Sequence, residues 1–208
     1  MSDKENEEKD MYLMDVAKEQ YDNGEYEGEI VEKKREGKGT YSWNSKDKYI
    51  GEFKNDIIDG RGTYIWANGD KYNGNFKNGK RDGKGVYSYQ SGSIYDGDFK
   101  ENKKEGKGIF YYKSGNRYEG DFKNDKRDGN GVMYYNNGDR EMGNFVDDKK
   151  VGIHIILHKD GKTEIKNYDE KGEEKKEENK EEIFEENEKN INNKEINNDE
   201  NINTSQNK

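Results

Sequence analysis

The stretch KYIGEFKNDIIDGRGTYIWANGD, residues 48–70, decides how this chain folds. Its spacing has period two. Tyr49, Gly51 and Phe53 fall on one side of an extended strand, and Ile50, Glu52 and Lys54 on the other. A second run repeats the alternation, with Gly60, Gly62, Tyr64 and Trp66 facing one way and Arg61, Thr63 and Ile65 the other. Asn55–Asp59 between the runs and Ala67-Asn68-Gly69-Asp70 after them are rich in turn residues. The stretch therefore reads as a β-hairpin. A helix would carry its glycines at about 1 kcal/mol each.

Outward from this hairpin the pattern recurs every 23 residues without an insertion. Tyr26, Tyr49, Tyr72, Tyr95 and Tyr118 form one series; Gly28, Gly51, Gly74, Gly97, Gly120 and Gly143 follow two positions later. Phe53, Phe76, Phe99, Phe122 and Phe145 come next, then Gly37, Gly60, Gly83, Gly106, Gly129 and Gly152. The companion glycines Gly39, Gly62, Gly85, Gly108 and Gly131 end at His154, and Tyr41, Tyr64, Tyr87, Phe110 and Met133 end at Ile156. The spacing predicts six units, 26–48, 49–71, 72–94, 95–117, 118–140 and 141–163. They should form an all-β, elongated, single antiparallel meander of about twelve strands coiled into a twisted ribbon. A half-repeat strand near Val16–Tyr21 is expected within an acidic segment 1–25, and a short cap followed by an acidic, Asn/Glu/Lys-rich, disordered tail over 164–208.

Parity sets an expected register, because directly opposed residues share a face. Phe53 should oppose Gly60, Gly51 should oppose Gly62, and Tyr49 should oppose Tyr64. A three-residue Asn68-Gly69-Asp70 loop would pair Trp66 with Tyr72, Tyr64 with Gly74, and Gly62 with Phe76; a two-residue turn would pair Tyr21 with Tyr26. Rings would then cover backbone left bare at glycine. Their burial, at roughly 25 cal/mol per Å2, replaces an aliphatic core.

Composition agrees. Only 26% of residues are hydrophobic and 41% are charged, too little apolar material for a conventional two-layer domain. No apolar run is long enough for a helical membrane span, and the hydrophilic stretch 1–10 lacks the apolar segment of a signal peptide. Zero cysteines exclude disulfides and thiolate chemistry, so a cytoplasmic setting is expected. The net charge of −9 divides into −6 over residues 1–25, +4 over 26–168 and −7 over 169–208. That small basic excess between acidic ends argues against nucleic acid.

The units resemble membrane occupation and recognition nexus (MORN) repeats. The resemblance is carried by residues 48–70, by KYNGNFKNGKRDGKGVYSYQSG (71–92) and by RYEGDFKNDKRDGNGVMYYNNGD (117–139), and covers about 26–163. It implies one hairpin per unit and an array acting as an intracellular scaffold. Members of the family associate with acidic phosphoinositide membranes, junctions, protist cytoskeletons or the radial spoke heads of cilia; some sit beside a lipid-kinase domain, for which this chain has no room. The expectation is a non-enzymatic scaffold without cofactors, binding proteins of a cytoskeletal or axonemal complex, with a cilium or flagellum as its setting. The alternative is a peripheral adaptor on an anionic membrane. The sixth unit departs from the pattern at Glu141, Val151 and His154, as terminal repeats often do.

Two interaction surfaces are candidates. Basic pairs Lys34-Arg35, Lys80-Arg81, Lys103-Lys104, Lys126-Arg127 and Lys149-Lys150 recur in the expected hairpin loops, with Ile57-Ile58 breaking the series. They read as a docking edge for anionic partners or as a solubilising fringe, since Glu36, Asp59, Asp82, Glu105 and Asp128 follow closely. The ladder Trp43, Trp66, Tyr89, Tyr112 and Tyr135 reads as ring packing or as a stacking surface. Apolar residues Ile109, Tyr111, Val132, Tyr134, Ile155 and Leu157 gather on the opposite face. The last strand, near Ile153–Leu157, could pair with another sheet or form a homodimer through the repeat end. His154 and His158 fit no catalytic pattern, and Gly161-Lys162-Thr163 lacks the glycine of a phosphate loop. In the tail, only Ile183-Phe184 offers an apolar anchor, and Asn203-Thr204-Ser205 is a glycosylation pattern without a secretory context.

Overall fold

Turn chemistry sets the strands apart. The computed structural model describes residues 15–175, so the expectations for the tail lie outside the described residues. Two-residue turns with positive φ at both positions join the strands of each unit, among them Asn55-Asp56 (48° and 68°), Asn78-Gly79 (50° and 75°) and Asn124-Asp125 (49° and 72°). This is the conformation whose twist matches a right-handed hairpin, and Asn, Asp and Gly tolerate it best. The expected turn region Asn55–Asp59 is thus shorter than read from composition: Ile57 already begins a strand.

The strands are β1 (Asp15–Tyr21), β2 (Gly24–Val31), β3 (Lys34–Trp43), β4 (Lys48–Lys54), β5 (Ile57–Ile65), β6 (Lys71–Lys77) and β7 (Lys80–Ser88). They continue with β8 (Ile94–Lys100), β9 (Lys103–Tyr111), β10 (Arg117–Lys123), β11 (Lys126–Tyr134), β12 (Arg140–Val146), β13 (Lys149–Leu157) and β14 (Thr163–Tyr168). All pair antiparallel in chain order in one sheet, which is elongated and does not close into a barrel. There are fourteen strands among the described residues, two more than the six hairpins supply. Because β14 covers β13, the Ile153–Leu157 segment is not the free edge expected from sequence.

Gly51 opposes Gly62 and Tyr49 opposes Tyr64, as parity requires. Phe53, however, opposes Ile58 rather than Gly60, because β5 accommodates two extra residues between these pairs. Gly60, with φ of 111°, occupies this bulge and instead opposes Phe76 on β6. The next junction is also wider than expected. Tyr64 pairs with Tyr72 and Gly62 with Gly74, displacing the expected Trp66–Tyr72, Tyr64–Gly74 and Gly62–Phe76 pairs. The Trp66 N–H donates to the Asp70 carbonyl and the Gly69 N–H to the Trp66 carbonyl, so five residues close the loop instead of three. At the first junction Tyr21 pairs with Gly24, not with Tyr26, because the tight turn falls at Asp22-Asn23.

One face holds the core. Tyr26, Tyr49, Tyr72, Tyr95 and Tyr118 are fully buried in a sheet one layer thick. Each ring lies on a glycine pair: Tyr49 covers Gly51 and Gly62, Tyr72 covers Gly74 and Gly85. Each hydroxyl donates to the carbonyl three residues on, as from Tyr72 to Asn75 at 3.0 Å. Phenylalanines stand edge-on between successive tyrosines. Phe76 meets Tyr49 at 5.3 Å and Tyr72 at 5.1 Å, with ring planes 87° and 90° apart. Each such contact contributes about 0.5–1.5 kcal/mol beyond its buried area. The tyrosine that opens one unit therefore packs on the phenylalanine of the next.

Candidate interaction surfaces

The second cation of each basic pair turns inward. Rather than lying in loops, the pairs open β3, β7, β9, β11 and β13, so alternation sends one member to each face. Arg81 lies over Tyr87 at 5.1 Å and Phe99 at 5.3 Å; Arg127 lies over Phe145 at 4.8 Å. Arg35 and Arg127 also donate through Nη2 to the carbonyls of Asp56 (2.8 Å) and Asp148 (2.7 Å), in the turn of the following hairpin. Lys104 takes the same place over Phe110, at 5.0 Å, and burial there pushes its ammonium pKa down. Lys150 lies over Tyr168 at 5.2 Å. In the second unit Ile58 fills this position, packed against the core. Only Lys34, Lys80, Lys103, Lys126 and Lys149 remain as an exposed file, and two of them meet acids one unit on: Lys80 with Glu101 (3.6 Å) and Lys126 with Asp147 (3.0 Å).

The acids after each pair also have work of their own. Glu36, Asp59, Glu105 and Asp128 accept the N–H groups of Asn55, Asn78, Asn124 and Asp147, tying each hairpin turn to the next. Asp47, Asp70, Asn116 and Asp139 tie the opposite loops together in the same way. Tyr87 donates to Asp70 at 2.8 Å; where Phe110 replaces the tyrosine, Ser93 replaces the acid. The two substitutions suit each other.

The aromatic ladder is partly buried and packs ring on ring against the core. Trp43 bridges Tyr41 (4.6 Å) and Tyr64 (5.3 Å), Trp66 bridges Tyr64 (4.6 Å) and Tyr87 (5.2 Å), and Tyr89 bridges Tyr87 (4.5 Å) and Phe110 (5.8 Å). Tyr112 ends the run on Phe110, because Met133 interrupts the ring series. Tyr135 instead donates its hydroxyl to Glu141.

The sixth unit exchanges its ring for a glycine across the strand pair. Glu141 stands where the other units have the covering tyrosine, and His154 where they have glycine, yet the His154 ring covers Gly143. His154 Nε2 lies 2.9 Å from the Asn144 carbonyl, the place taken elsewhere by the tyrosine hydroxyl. Nδ1 lies 3.1 Å from Glu141, which also receives Lys150 Nζ at 2.7 Å. Burial alone would raise the Glu141 carboxyl, but the bonds from Lys150 and Tyr135 and the neighbouring Lys150 and His154 charges hold it below its ordinary range. The ring row then continues from His154 to Tyr168 on β14, at 5.1 Å. Tyr168 is in phase with the phenylalanine series, 23 residues after Phe145.

The opposite face has no ring layer. One residue per strand forms a central row along the whole sheet: Lys18, Glu27, Thr40, Ile50, Thr63, Asn73, Val86, Asp96, Ile109, Glu119, Val132, Met142, Ile155 and Ile165. The row is mixed at first and mostly apolar from Ile109 onward. A depression of about 890 Å3 spans β7 to β13 here, floored by bare glycine backbone and walled by Ile109, Val132, Tyr134, Met142 and Ile155. A second, of about 450 Å3 and more polar, adjoins it through Lys84 and Asp96. Among the described residues, no cluster of His, Cys, Asp and Glu is placed to hold a metal ion, and no helix is long and apolar enough to cross a membrane.

Comparison with solved structures returns the SAS-4 (dCPAP) TCP domain of Drosophila melanogaster in complex with a proline-rich motif of Ana2. It is 14% identical, with a TM-score of 0.44 over 72% of this chain and 88% of that one. The TCP10 domain of Danio rerio CPAP is 12% identical, with a TM-score of 0.31 over 79% and 98%. No match is found among curated proteins. The family comparison is decisive: the MORN repeat matches residues 26–48, 49–71, 72–94, 95–117 and 118–140, each beginning at a tyrosine of the 23-residue series. Since these five units make up more than half of the 208 residues, the chain belongs to the MORN repeat family.

Proposed function

We propose that the chain is a non-enzymatic scaffold that binds proteins within a cytoskeletal assembly. The observation that carries this reading is the division of labour between the two faces. Rings and cations on one face are consumed in holding the array together, while the other presents a continuous surface across all fourteen strands. Such a surface suits several modest contacts that add along its length. The narrower reading is an axonemal component of radial-spoke-head type. It is supported by the layout, an acidic start, an early GEYEGE (24–29), a block of repeats and an acidic tail, which resembles radial spoke head protein 1.

Proximity labelling in the native cell, combined with detergent fractionation, tests both. Retention in a detergent-resistant axonemal fraction, with cytoskeletal neighbours labelled, is the expected result; labelling confined to membrane proteins overturns it. The membrane-adaptor reading retains the exposed Lys80, Lys103 and Lys126 file in its favour. It requires salt-sensitive flotation with anionic vesicles that is lost when these three are replaced by Gln. A homodimer through the end strand β14 would show as a concentration-dependent mass in sedimentation.

A further inference from the structure

Three rows on the ring-free face differ in how their charge is balanced. In one, the cations are paired: Lys84 Nζ lies 2.8 Å from Asp98 and Lys107 Nζ 2.6 Å from Asp121. The central row is the wall already described, apolar at Ile109, Val132, Met142 and Ile155 and interrupted by Asp96 and Glu119. The third row alternates cations with apolar and aromatic side chains, opposing Tyr111 to Arg117, Arg117 to Tyr134, and Tyr134 to Arg140. Arg117 and Arg140 flank the Tyr134 ring, at 4.1 and 5.8 Å. Arg117 has a single ion pair, with Glu119 at 3.5 Å, and its buried Nε has no hydrogen-bond partner among the described residues. Arg140 has no ion pair among the described residues. Arg140 on this rim thus lacks a counter-charge, and Arg117 keeps an unused buried donor, beside a mostly apolar depression whose acids are Asp96 and Glu119.

We propose that the depression binds an acidic peptide segment with apolar side chains, supplied by a partner protein; this deepens the scaffold reading and rests on it. The apolar side chains enter over the glycine floor, and carboxylates meet Arg117 and Arg140. Both guanidiniums are held by Tyr134, so little freedom is lost when they are engaged. The six strand spacings between β7 and β13 span about 29 Å, the reach of roughly eight extended residues. Concavity selects this occupant over an anionic bilayer, whose flat surface would touch the rims and leave the apolar floor unfilled.

The probe is a labelled peptide of sequence EENKEEIFEENEK, taken from residues 177–189, with net charge −5 from seven acids and two lysines. It is titrated into the full chain carrying I183S and F184S, so that the chain's own copy of the sequence does not compete. The expected result is saturable, salt-sensitive anisotropy. Binding should weaken about tenfold or more in R140E and in I155D, with T63E at the polar end unaffected and all far-UV spectra unchanged. Weaker binding to the wild-type chain also supports the site, since it identifies the chain's own sequence as a competitor for it. No saturable binding by about 1 mM overturns the proposal, as does binding indifferent to R140E and I155D, or capture of phosphatidylserine vesicles but not peptide by this face. If the peptide fails while axonemal labelling persists, only this inference falls; if the peptide binds and the labelling fails, the cellular reading falls instead.

Discussion

The exchange in the sixth unit predicts a double-mutant cycle with strong compensation. Replacing His154 by Gly removes a ring packed on Phe145 (5.3 Å) and Tyr168 (5.1 Å), bares Gly143 and leaves the Asn144 carbonyl without its donor. Aromatic truncation of this kind costs about 3–5 kcal/mol. Replacing Glu141 by Tyr sends a ring into the space His154 fills, at about 1–3 kcal/mol, and removes the carboxylate that meets Lys150 and His154. Together, E141Y and H154G recreate the arrangement of the first five units, in which the ring comes from the first strand and lies on two glycines. The coupling should therefore reach about 3 kcal/mol in favour of the double variant, the upper end for residues in contact. Because repeat arrays open locally, the assay is amide hydrogen exchange across β12–β14 rather than global melting. H154G should lose at least about a hundredfold of protection there and E141Y about five- to 150-fold, while the double variant should lose about 150-fold less than the product of the two. Additivity of the two losses to within about 0.5 kcal/mol would refute the reasoning.

Three other outcomes follow from the core. Burial raises the buried tyrosine hydroxyls above their usual value, Tyr26 and Tyr72 to about 12. The folded array holds these protons while the unfolded chain releases them near pH 10. Stability is therefore full below pH 10 and lost as pH rises toward 12, by about 1.4 kcal/mol per pH unit for each such tyrosine; urea midpoints and 295 nm absorbance should change together. Gly85→Ala should cost about 1–3 kcal/mol because its methyl would enter the Tyr72 ring, whereas Gly79→Ala, with open space around it, should cost about 1 kcal/mol through its φ of 75° alone, as exchange in β6–β7 would show. Arg81→Ala should destabilise by about 2 kcal/mol through its lost ring and turn contacts, while Lys80→Ala should stay within about 0.5 kcal/mol by the same measurement.

The repeat, its period of two and the ring-bearing face were legible because each is a spacing property, and Gly51–Gly62 and Tyr49–Tyr64 pair as parity demands. Bulges escaped for the same reason: two extra residues at Gly60 preserve parity, so spacing alone cannot distinguish a bulged register from a continuous one. The wider junction loop likewise keeps Tyr64 and Tyr72 on one face while shifting their partners by two. Charge misled in a different way. A cation pair suggests solvent, yet the isoleucine standing in for the second cation at Ile58 was a sign that this position is half covered. The strand β14 was signalled by Tyr168, which continues the phenylalanine phase, but its acidic and amide neighbours hid the alternation. The exchange of Glu141 and His154 was visible as two departures; that they compensate needed the geometry.

Laying every strand across the long axis of a single sheet has a mechanical consequence. Tension applied between the two ends pulls neighbouring strands directly apart, rung by rung, instead of sliding them past one another. Each rung resists with only its own backbone bonds, ring contacts and turn ties to the neighbouring unit, so force peels the array progressively from an end. A tether built this way gives length in steps of one hairpin and recovers by rezipping, because a detached unit needs only its immediate neighbour as a template.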